Sequence, residues 1–477
     1  MDAQMLIAGQ RTPGTGSRIS VHDPFRGEII ATVPEASPQD LERALQAATE
    51  GARHMARLPA GERAAILEDV ASRVEREMES LATTIVREQG KTLTEARREV
   101  ARVPGLLRLC AGEALRLAGE TIPLDQGADG VGRLGLTIRV PVGVVVAITP
   151  FNYPLLLVAH KLGPAFAAGN AVILKPATAT PLSGLRLAEL FAEAGAHPGA
   201  MQCVTGSGAS VGLPLCGDSR TRAITFTGSE AAGQAVVAGS GVKHFLLELG
   251  ANCPLVIAAD ADLRQAAEAT AIGGYSNAGQ ACISAQRILV ERPVYWDFLD
   301  ALATRVEQIS AGDPLEPSAT MGPLINAGEA ERVAGIVSQA TEAGARVVSG
   351  GERDGALHAA TIVADVAPDS RLFQEELFGP AVGVTPVEDL DEALALANRS
   401  EYGLGAGIFT SNVHTVMRFI NEVEAGVIQI NWSPLWRADS MAYGGLKRSG
   451  IGKEGPRWAV EELTELKTVV FHPPPAE

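Results

Sequence analysis

Hydrophobic positions recur at helical spacing from Ser37 to Glu120, and then the period changes. Ile66, Val70, Val74, Met78 and Leu81 are three or four residues apart, as one buried helical stripe requires. Ser37, Pro38 and Asp40 read as an N-cap, a first-turn proline and a capping-box-like acid. From Leu134 to Val140 the alternation is strict: Leu134, Leu136, Ile138 and Val140 are apolar, with Gly135, Thr137 and Arg139 between them. That period of two predicts a half-buried strand. It follows a glycine-rich turn at Asp125 to Gly132, so a hairpin or extended arm is expected.

The middle of the chain alternates short β-rich runs with helical stretches. The runs are Gly143 to Ile148, Ala171 to Lys175, Met201 to Thr205 and Ala223 to Thr227, and the helices Leu155 to Ala168, Pro181 to Gly195 and Glu230 to Val237. Four strands alternating with helices imply right-handed crossovers and a parallel sheet covered on both faces. Beyond Lys243 a second series begins with Phe245 to Leu249, Pro254 to Ala258, a helix from Asp262, and Arg287 to Val290. A second α/β domain is therefore expected. In such sheets ligands bind outside the carboxyl ends of the strands. The segments to inspect are Thr149-Pro150-Phe151-Asn152, Lys175-Pro176-Ala177-Thr178, Thr227-Gly228-Ser229 and Glu248-Leu249-Gly250. Gly228 to Gly233 leads from strand to helix, where free N–H groups suit a phosphate. It is followed by Gln234-Ala235 rather than Lys-Ser/Thr, which argues against a P-loop.

Composition narrows the function classes. A chain of 477 residues, 46% hydrophobic and 20% charged, has material for two or three domains with large cores. Forty basic against 56 acidic residues leave a net charge of −16, which disfavours nucleic acid and anionic membranes as partners. The apolar region from Val140 is cut by Pro150, Asn152, Pro154, His160 and Lys161, against a membrane span. Met5 to Ala8 has no basic segment before it, so a cytoplasmic location is expected. Five cysteines without a C-x-x-C pair, and histidines without H-E-x-x-H, suggest neither a disulfide framework nor a metal site. The proline-rich His472 to Ala476 reads as a frayed end.

Two residues stand out chemically. Cys282 lies in the polar, glycine-bearing segment Asn277-Ala278-Gly279-Gln280-Ala281-Cys282, unlike Cys110, Cys203, Cys216 and Cys253, which read as inert small hydrophobes. Glu248 ends the apolar run Phe245-Leu246-Leu247. Burial there would raise its pKa and make it a usable base, whereas an edge strand would leave it solvated.

Six ordered motifs carry a resemblance. They are Phe151-Asn152-Tyr153-Pro154, Lys175-Pro176-Ala177, Phe226-Thr227-Gly228-Ser229, Glu248-Leu249-Gly250, Gly279-Gln280-x-Cys282 and Glu375-Glu376-Leu377-Phe378-Gly379-Pro380, continuing through Asn431 and Tyr443-Gly444-Gly445. In order and spacing the chain resembles the NAD(P)-dependent, non-phosphorylating aldehyde dehydrogenase superfamily over nearly its whole length. The resemblance implies a doubly wound Rossmann-like cofactor domain (1–119 and 141–248), a second α/β catalytic domain (249–430), and a small β oligomerisation arm with the C-terminal segment (120–140 and 431–477). The run Leu466 to Phe471 would then extend a neighbour's sheet in a homodimer or homotetramer.

The resemblance also implies roles. Cys282 would attack the aldehyde, Asn152 and the Cys282 N–H would hold the oxyanion, and Glu248 would activate water against the thioester left after hydride transfer to NAD(P)+. Thr149, Pro150, Lys175, Thr178, Gly228, Ser229, Glu376 and Phe378 would bind the cofactor, with Lys175 on the adenosine ribose and Ser229 at the pyrophosphate. Thr178 stands where NAD-preferring members carry Glu, which leans the expectation towards NADP+ being accepted. Ala251 replaces a common second glycine. Ala281, Ile283 and Ser284 flank the nucleophile, Tyr153, Trp432 and Trp436 are candidates for the entrance, and Arg437 or Arg457 for an anionic substrate group. The substrate expected is a small aldehyde, a hydroxyaldehyde or a semialdehyde. The rival readings are a CoA-acylating relative and a non-catalytic protein that reuses the fold.

Overall fold

The computed structural model describes residues 2–472; from Pro473 on, the proline-rich tail lies outside them. Four helices, Pro38–Met55, Ala60–Arg76, Met78–Gln89 and Leu93–Arg116, fill the first helical stretch. The first carries the expected capping box: the Asp40 N–H donates to Ser37 Oγ (3.2 Å), and Ser37 N–H donates to the Asp40 carboxylate (3.0 Å). The single stripe from Ile66 to Leu81 is corrected. Glu77 leaves helical geometry (φ −100°, ψ 13°), so the stripe runs over two successive helices.

The first sheet has eight strands in the spatial order Gln10–Thr12, Met5–Ile7, Met201–Cys203, Ala171–Lys175, Val144–Ile148, Thr221–Thr227, His244–Glu248 and Gly450–Ile451. The five from Met201–Cys203 to His244–Glu248 are parallel. Alternate residues feed two cores: Val145, Ala147, Val172 and Leu174 on one face, Val144, Val146, Ala171 and Ile173 on the other. Burial on both faces explains why these strands read as continuous apolar runs. His244–Glu248 belongs here and does not open the second series, because it pairs in parallel with Thr221–Thr227. Gly450–Ile451 also returns to this sheet, antiparallel to the edge strand at Leu247 and Glu248.

The second sheet has seven strands: Arg346–Ser349, Thr361–Ala364, Ala381–Val387, Ala285–Glu291, Cys253–Ile257, Gly405–Phe409 and Val427–Ile430. All neighbours are parallel except the first pair.

The arm is a three-stranded sheet. Thr464–Phe471 pairs antiparallel with Leu134–Pro141, which also takes Thr121–Ile122 on its other edge. The half-buried face expected here is corrected: Leu134 is 53% and Ile138 42% exposed, and Leu466 (56%) and Phe471 (55%) join them. The strand has edge partners, but no layer among the described residues covers that face. No helix among the described residues is long and apolar enough to cross a membrane.

Candidate active site

Only Leu249 to Asn252 separate the end of His244–Glu248 from the start of Cys253–Ile257. The carboxyl ends of the first sheet therefore meet the amino ends of the second, and hydrogen bonds cross the junction. Asn152, after Val144–Ile148, donates through Nδ2 to the Gln280 carbonyl (2.9 Å), ahead of Ala285–Glu291. Glu376, ahead of Ala381–Val387, accepts from the Ala251 N–H (3.0 Å).

The segment presenting Cys282 is strained. Asn277, Ala278 and Gly279 all have positive φ, at 52°, 53° and 69°. Two consecutive non-glycine residues in the left-handed region are costly, and surrounding bonds hold them there. Asn277 N–H donates to Glu95 (2.6 Å), Gln89 donates to Asn277 Oδ1 (3.0 Å), and the Asn277 amide donates to the Asn152 carbonyl (3.0 Å). At Gly279 a Cβ would stand 2.1 Å from the Gly379 carbonyl oxygen, so only glycine fits.

Cys282 and Asn152 line one cavity of about 390 Å³, together with Tyr153, Trp432, Trp436 and Tyr443. The Cys282 sulfur is 3.0 Å from Tyr443 Oη. Burial pushes the thiol up to about 12, against the pull of the Tyr443 hydrogen bond and reinforced by Glu248 and Glu376. The Asn152 amide nitrogen carries two hydrogens, and among the described residues only one is used. Ala281 and Ile283 line the cavity as well, whereas Ser284 is buried and donates to the Gly273 carbonyl (3.0 Å).

Glu248 is buried but does not line this cavity. Its Oε1 lies against Gly444, where a Cβ would be 2.8 Å away, and its Oε2 has no partner among the described residues. Burial first, then the charge of Glu454, hold it well above the usual carboxylate range; Arg437, Lys161 and Lys453 pull the other way. Glu454 accepts from Lys161 (2.9 Å) and Arg437 (3.2 Å). Burial opposes its ionisation, but Lys161, Arg437 and His160 outweigh that and hold it at about 2.

Arg437 is buried rather than solvated. Its guanidinium lies 3.7 Å from the centre of the Tyr443 ring and donates to His160 Nδ1 (3.2 Å). His160 Nε2 is 3.1 Å from Asp439, which also accepts from Arg102 (2.6 Å). Arg457 pairs with Glu461 on its own helix and does not line the cavity. Among the described residues Arg98, on the cavity wall, has no hydrogen-bond or ion-pair partner.

The residues expected to hold NAD(P)+ gather at the strand ends. Thr149 follows Val144–Ile148 and Thr227 ends the adjacent parallel strand, and each has a buried hydroxyl without a partner among the described residues. Lys175 donates to the Pro176 (2.8 Å) and Gly206 (3.0 Å) carbonyls, and burial lowers its pKa to about 8. Thr178 donates to the same Gly206 carbonyl (3.0 Å). Pro150 follows Thr149 directly. The Gly228 N–H donates to the Glu248 carbonyl (3.1 Å), and Ser229 caps the helix Glu230–Ser240. A second cavity, of about 770 Å³, links Ser229 to Glu376. Burial raises Glu376 to about 7. Phe378 sits edge-on to Phe151, ring centres 5.8 Å apart. Orphaned hydroxyls, a buried lysine and a helix N-terminus are groups that suit a dinucleotide.

Sequence reasoning gave no role to Tyr443, Lys161, Glu454 or Arg98. For Lys161 the signal was available, as a lysine within an otherwise apolar helix, Leu156–Ala167.

Residues 11–469 match the aldehyde dehydrogenase family model. The chain is 39% identical over 458 residues to a 3-sulfolactaldehyde dehydrogenase of Priestia aryabhattai, covering 96% of each chain. Among solved structures it is similar to aldehyde dehydrogenase 21 of Physcomitrella patens in complex with succinate (TM-score 0.96, 34% identity, 98% of each chain). It is equally similar to the NADP-dependent glyceraldehyde-3-phosphate dehydrogenase of Bacillus halodurans complexed with NADP (TM-score 0.96, 35% identity, 99% of each chain). Likeness of this extent sets aside a non-catalytic reuse of the fold. The chain belongs to the aldehyde dehydrogenase superfamily, as an NAD(P)+-dependent, non-phosphorylating enzyme.

Proposed function

We propose that the protein oxidises a short aldehyde bearing an anionic end group to the carboxylate, with Cys282 as nucleophile. The observation that carries this reading is one cavity in which the Cys282 thiol, the Asn152 amide and an uncommitted guanidinium, Arg98, stand together. The Cys282 thiol releases its proton to solvent, and attack of the thiolate on the aldehyde carbon forms a thiohemiacetal whose oxyanion is held by the free Asn152 N–H and the Cys282 backbone N–H. NAD(P)+, when bound, supplies the oxidation by accepting a hydride. Glu248 takes a proton from the water that attacks the thioester carbon, and the Cys282 thiolate leaves with the acid released. Lys175 and Thr178 take the adenosine ribose, Ser229 and Gly228 the pyrophosphate, Thr149 and Pro150 the floor beneath it, and Glu376 with Phe378 the nicotinamide riboside.

Three considerations favour an anionic end group. Arg98 has no internal carboxylate to satisfy, whereas Arg102, Arg437 and Lys91 pair with Asp439, Glu454 and Glu99. Arg98 is exposed on the cavity wall, so its guanidinium is accessible to a substrate's end group. The relatives' names include a sulfonated aldehyde, a dicarboxylate product and a phosphorylated aldehyde.

The test is reduced-cofactor formation with sulfonated, carboxylated, phosphorylated and uncharged aldehydes, with Cys282→Ser as control. Turnover of anionic aldehydes that Cys282→Ser abolishes supports the reading; preference for uncharged ones removes the anion subsite. The exposed apolar residues of the arm support assembly into a homodimer or homotetramer. Light scattering on the intact protein checks this, and a monomer at micromolar concentration would refute it.

A further inference from the structure

The chain carries a carboxylate beside the adenosine end of the cofactor cleft, from a segment remote in sequence. The hairpin Arg18–His22 and Ile29–Pro34 ends at Glu35, and the next residue is fastened to the loop after Met201–Cys203. Ala36 N–H donates to the Thr205 carbonyl (2.8 Å), and the Thr205 hydroxyl donates to the Pro34 carbonyl. This sets Glu35 on Gly206, where a Cβ would lie 3.2 Å from Glu35 Cγ. Its carboxylate accepts from Ser210 Oγ (2.5 Å), Ser17 Oγ (2.9 Å) and the Ser207 N–H (3.4 Å).

One peptide unit, Gly206–Ser207, therefore serves both groups. Its carbonyl accepts from Lys175 and Thr178, and its N–H donates to Glu35. The hydrogen bonds from Ser210, Ser17 and Ser207 hold the Glu35 carboxyl below the usual carboxylate range, so it is ionised at neutral pH. Nothing cationic pairs with it among the described residues, and the donors that surround it are no longer open to another anion.

We infer that Glu35 sets the balance between the two cofactors: its carboxylate repels the 2′-phosphate of NADP+ and is indifferent to NAD+. The inference rests on the proposed placement of the adenosine ribose at Lys175 and Thr178. The negative charge that Thr178 does not supply at this end of the cleft comes instead from the N-terminal segment. At the dielectric constant of water, a monoanion and a dianion separated by about 8 Å would differ in affinity by a factor of about five through their repulsion. Repulsion over distances of that order falls within one Debye length at moderate ionic strength and is therefore salt-dependent.

The test measures equilibrium binding of NAD+ and NADP+ by calorimetry to the intact protein, its Glu35→Gln and Glu35→Lys variants, and Thr178→Glu. Glu35→Gln keeps the shape and an acceptor oxygen for the serines. It is expected to tighten NADP+ by about three- to fivefold with NAD+ unchanged, and Glu35→Lys to tighten it further, both gains shrinking at high salt. Thr178→Glu is expected to weaken NADP+ by about tenfold. Equal shifts for both cofactors, or no shift in the Glu35 variants while Thr178→Glu acts as expected, overturn the role of Glu35 alone. An inert Thr178→Glu overturns the ribose placement and the inference with it.

Discussion

The Tyr443 hydroxyl lies 3.0 Å from the Cys282 sulfur and, as donor, is among the described residues the one side chain in hydrogen-bond reach that favours the thiolate. Burial dominates nonetheless, and the thiol is held at about 12. The free enzyme at neutral pH therefore holds a thiol, and the reactive fraction rises tenfold per pH unit until the pKa is approached. Alkylation of Cys282 by iodoacetamide should increase with unit slope from pH 7 to 10 without a plateau. Tyr443→Phe should slow it by about tenfold at each pH, since a hydrogen bond to a charged group contributes about 1.5 kcal/mol or more. A plateau near neutral pH would contradict the burial argument.

Arg437 lines the cavity, as expected, but its guanidinium is committed to the buried acids. It donates to Glu454, stacks on Tyr443, and lowers the cost of a charge on Glu248. Arg437→Met should thus lower kcat for anionic and uncharged aldehydes alike, by about tenfold or more, because Glu454 is left with Lys161, and Glu248 with the more distant charges of Lys161 and Lys453. A KM effect confined to anionic substrates, with kcat intact, would instead place the guanidinium on the substrate.

Much of this architecture was legible in the sequence because two-sided burial forces continuous apolar strands such as Val144–Ile148 and Ala171–Lys175. The rule that ligands bind at carboxyl strand ends also pointed to Asn152, Lys175, Ser229 and Glu248, and the fold does place them at or just after strand ends. It does not reach Cys282, which precedes its strand, Ala285–Glu291, because the second sheet presents its amino ends to the cleft. His160 and Lys161 interrupt an apolar stretch, and their first implication was only that no membrane is spanned. In a helix buried on every side a lysine needs a partner, and Glu454, 293 residues away, is invisible to local pattern. The arm itself was legible, but its burial was not, for a related reason: alternation at Leu134 and Ile138 marks a face that needs cover, and no described residue supplies it.

Arg98 offers the sharpest test of substrate choice. It is exposed on the cavity wall and free of internal partners among the described residues, so replacing it should disturb neither folding nor Cys282. Arg98→Ala should raise KM for the best anionic aldehyde by about tenfold and leave uncharged aldehydes unchanged, the loss of one charge-assisted contact. Arg98→Lys should recover part of this, since the charge returns without the planar fork. Unchanged KM for every anionic aldehyde in Arg98→Ala would remove the residue from recognition.

The chain Arg102–Asp439–His160–Arg437–Glu454 makes the fold sensitive to acid. Burial lowers His160 to about 4, with the Arg437 charge adding to it and Asp439 opposing. Arg437 donates to Nδ1, which leaves Nε2 as the protonated nitrogen facing Asp439. The unfolded chain takes up the histidine proton near 6.5, so the stabilisation is complete above that value. It is lost as pH falls towards 4, at about 1.4 kcal/mol per pH unit and at most about 3 kcal/mol in all. Glu454, held at about 2 against an ordinary 4.5, extends the loss in the same direction at lower pH. Urea unfolding between pH 7 and 4 should therefore show the intact protein losing stability relative to His160→Gln, since the raised acids Glu248 and Glu376, which gain stability with acid, contribute equally to both proteins. His160→Gln, which cannot titrate, should start lower at pH 7 but lose less over that interval. Parallel pH profiles for the two proteins would show that His160 is not the group responsible.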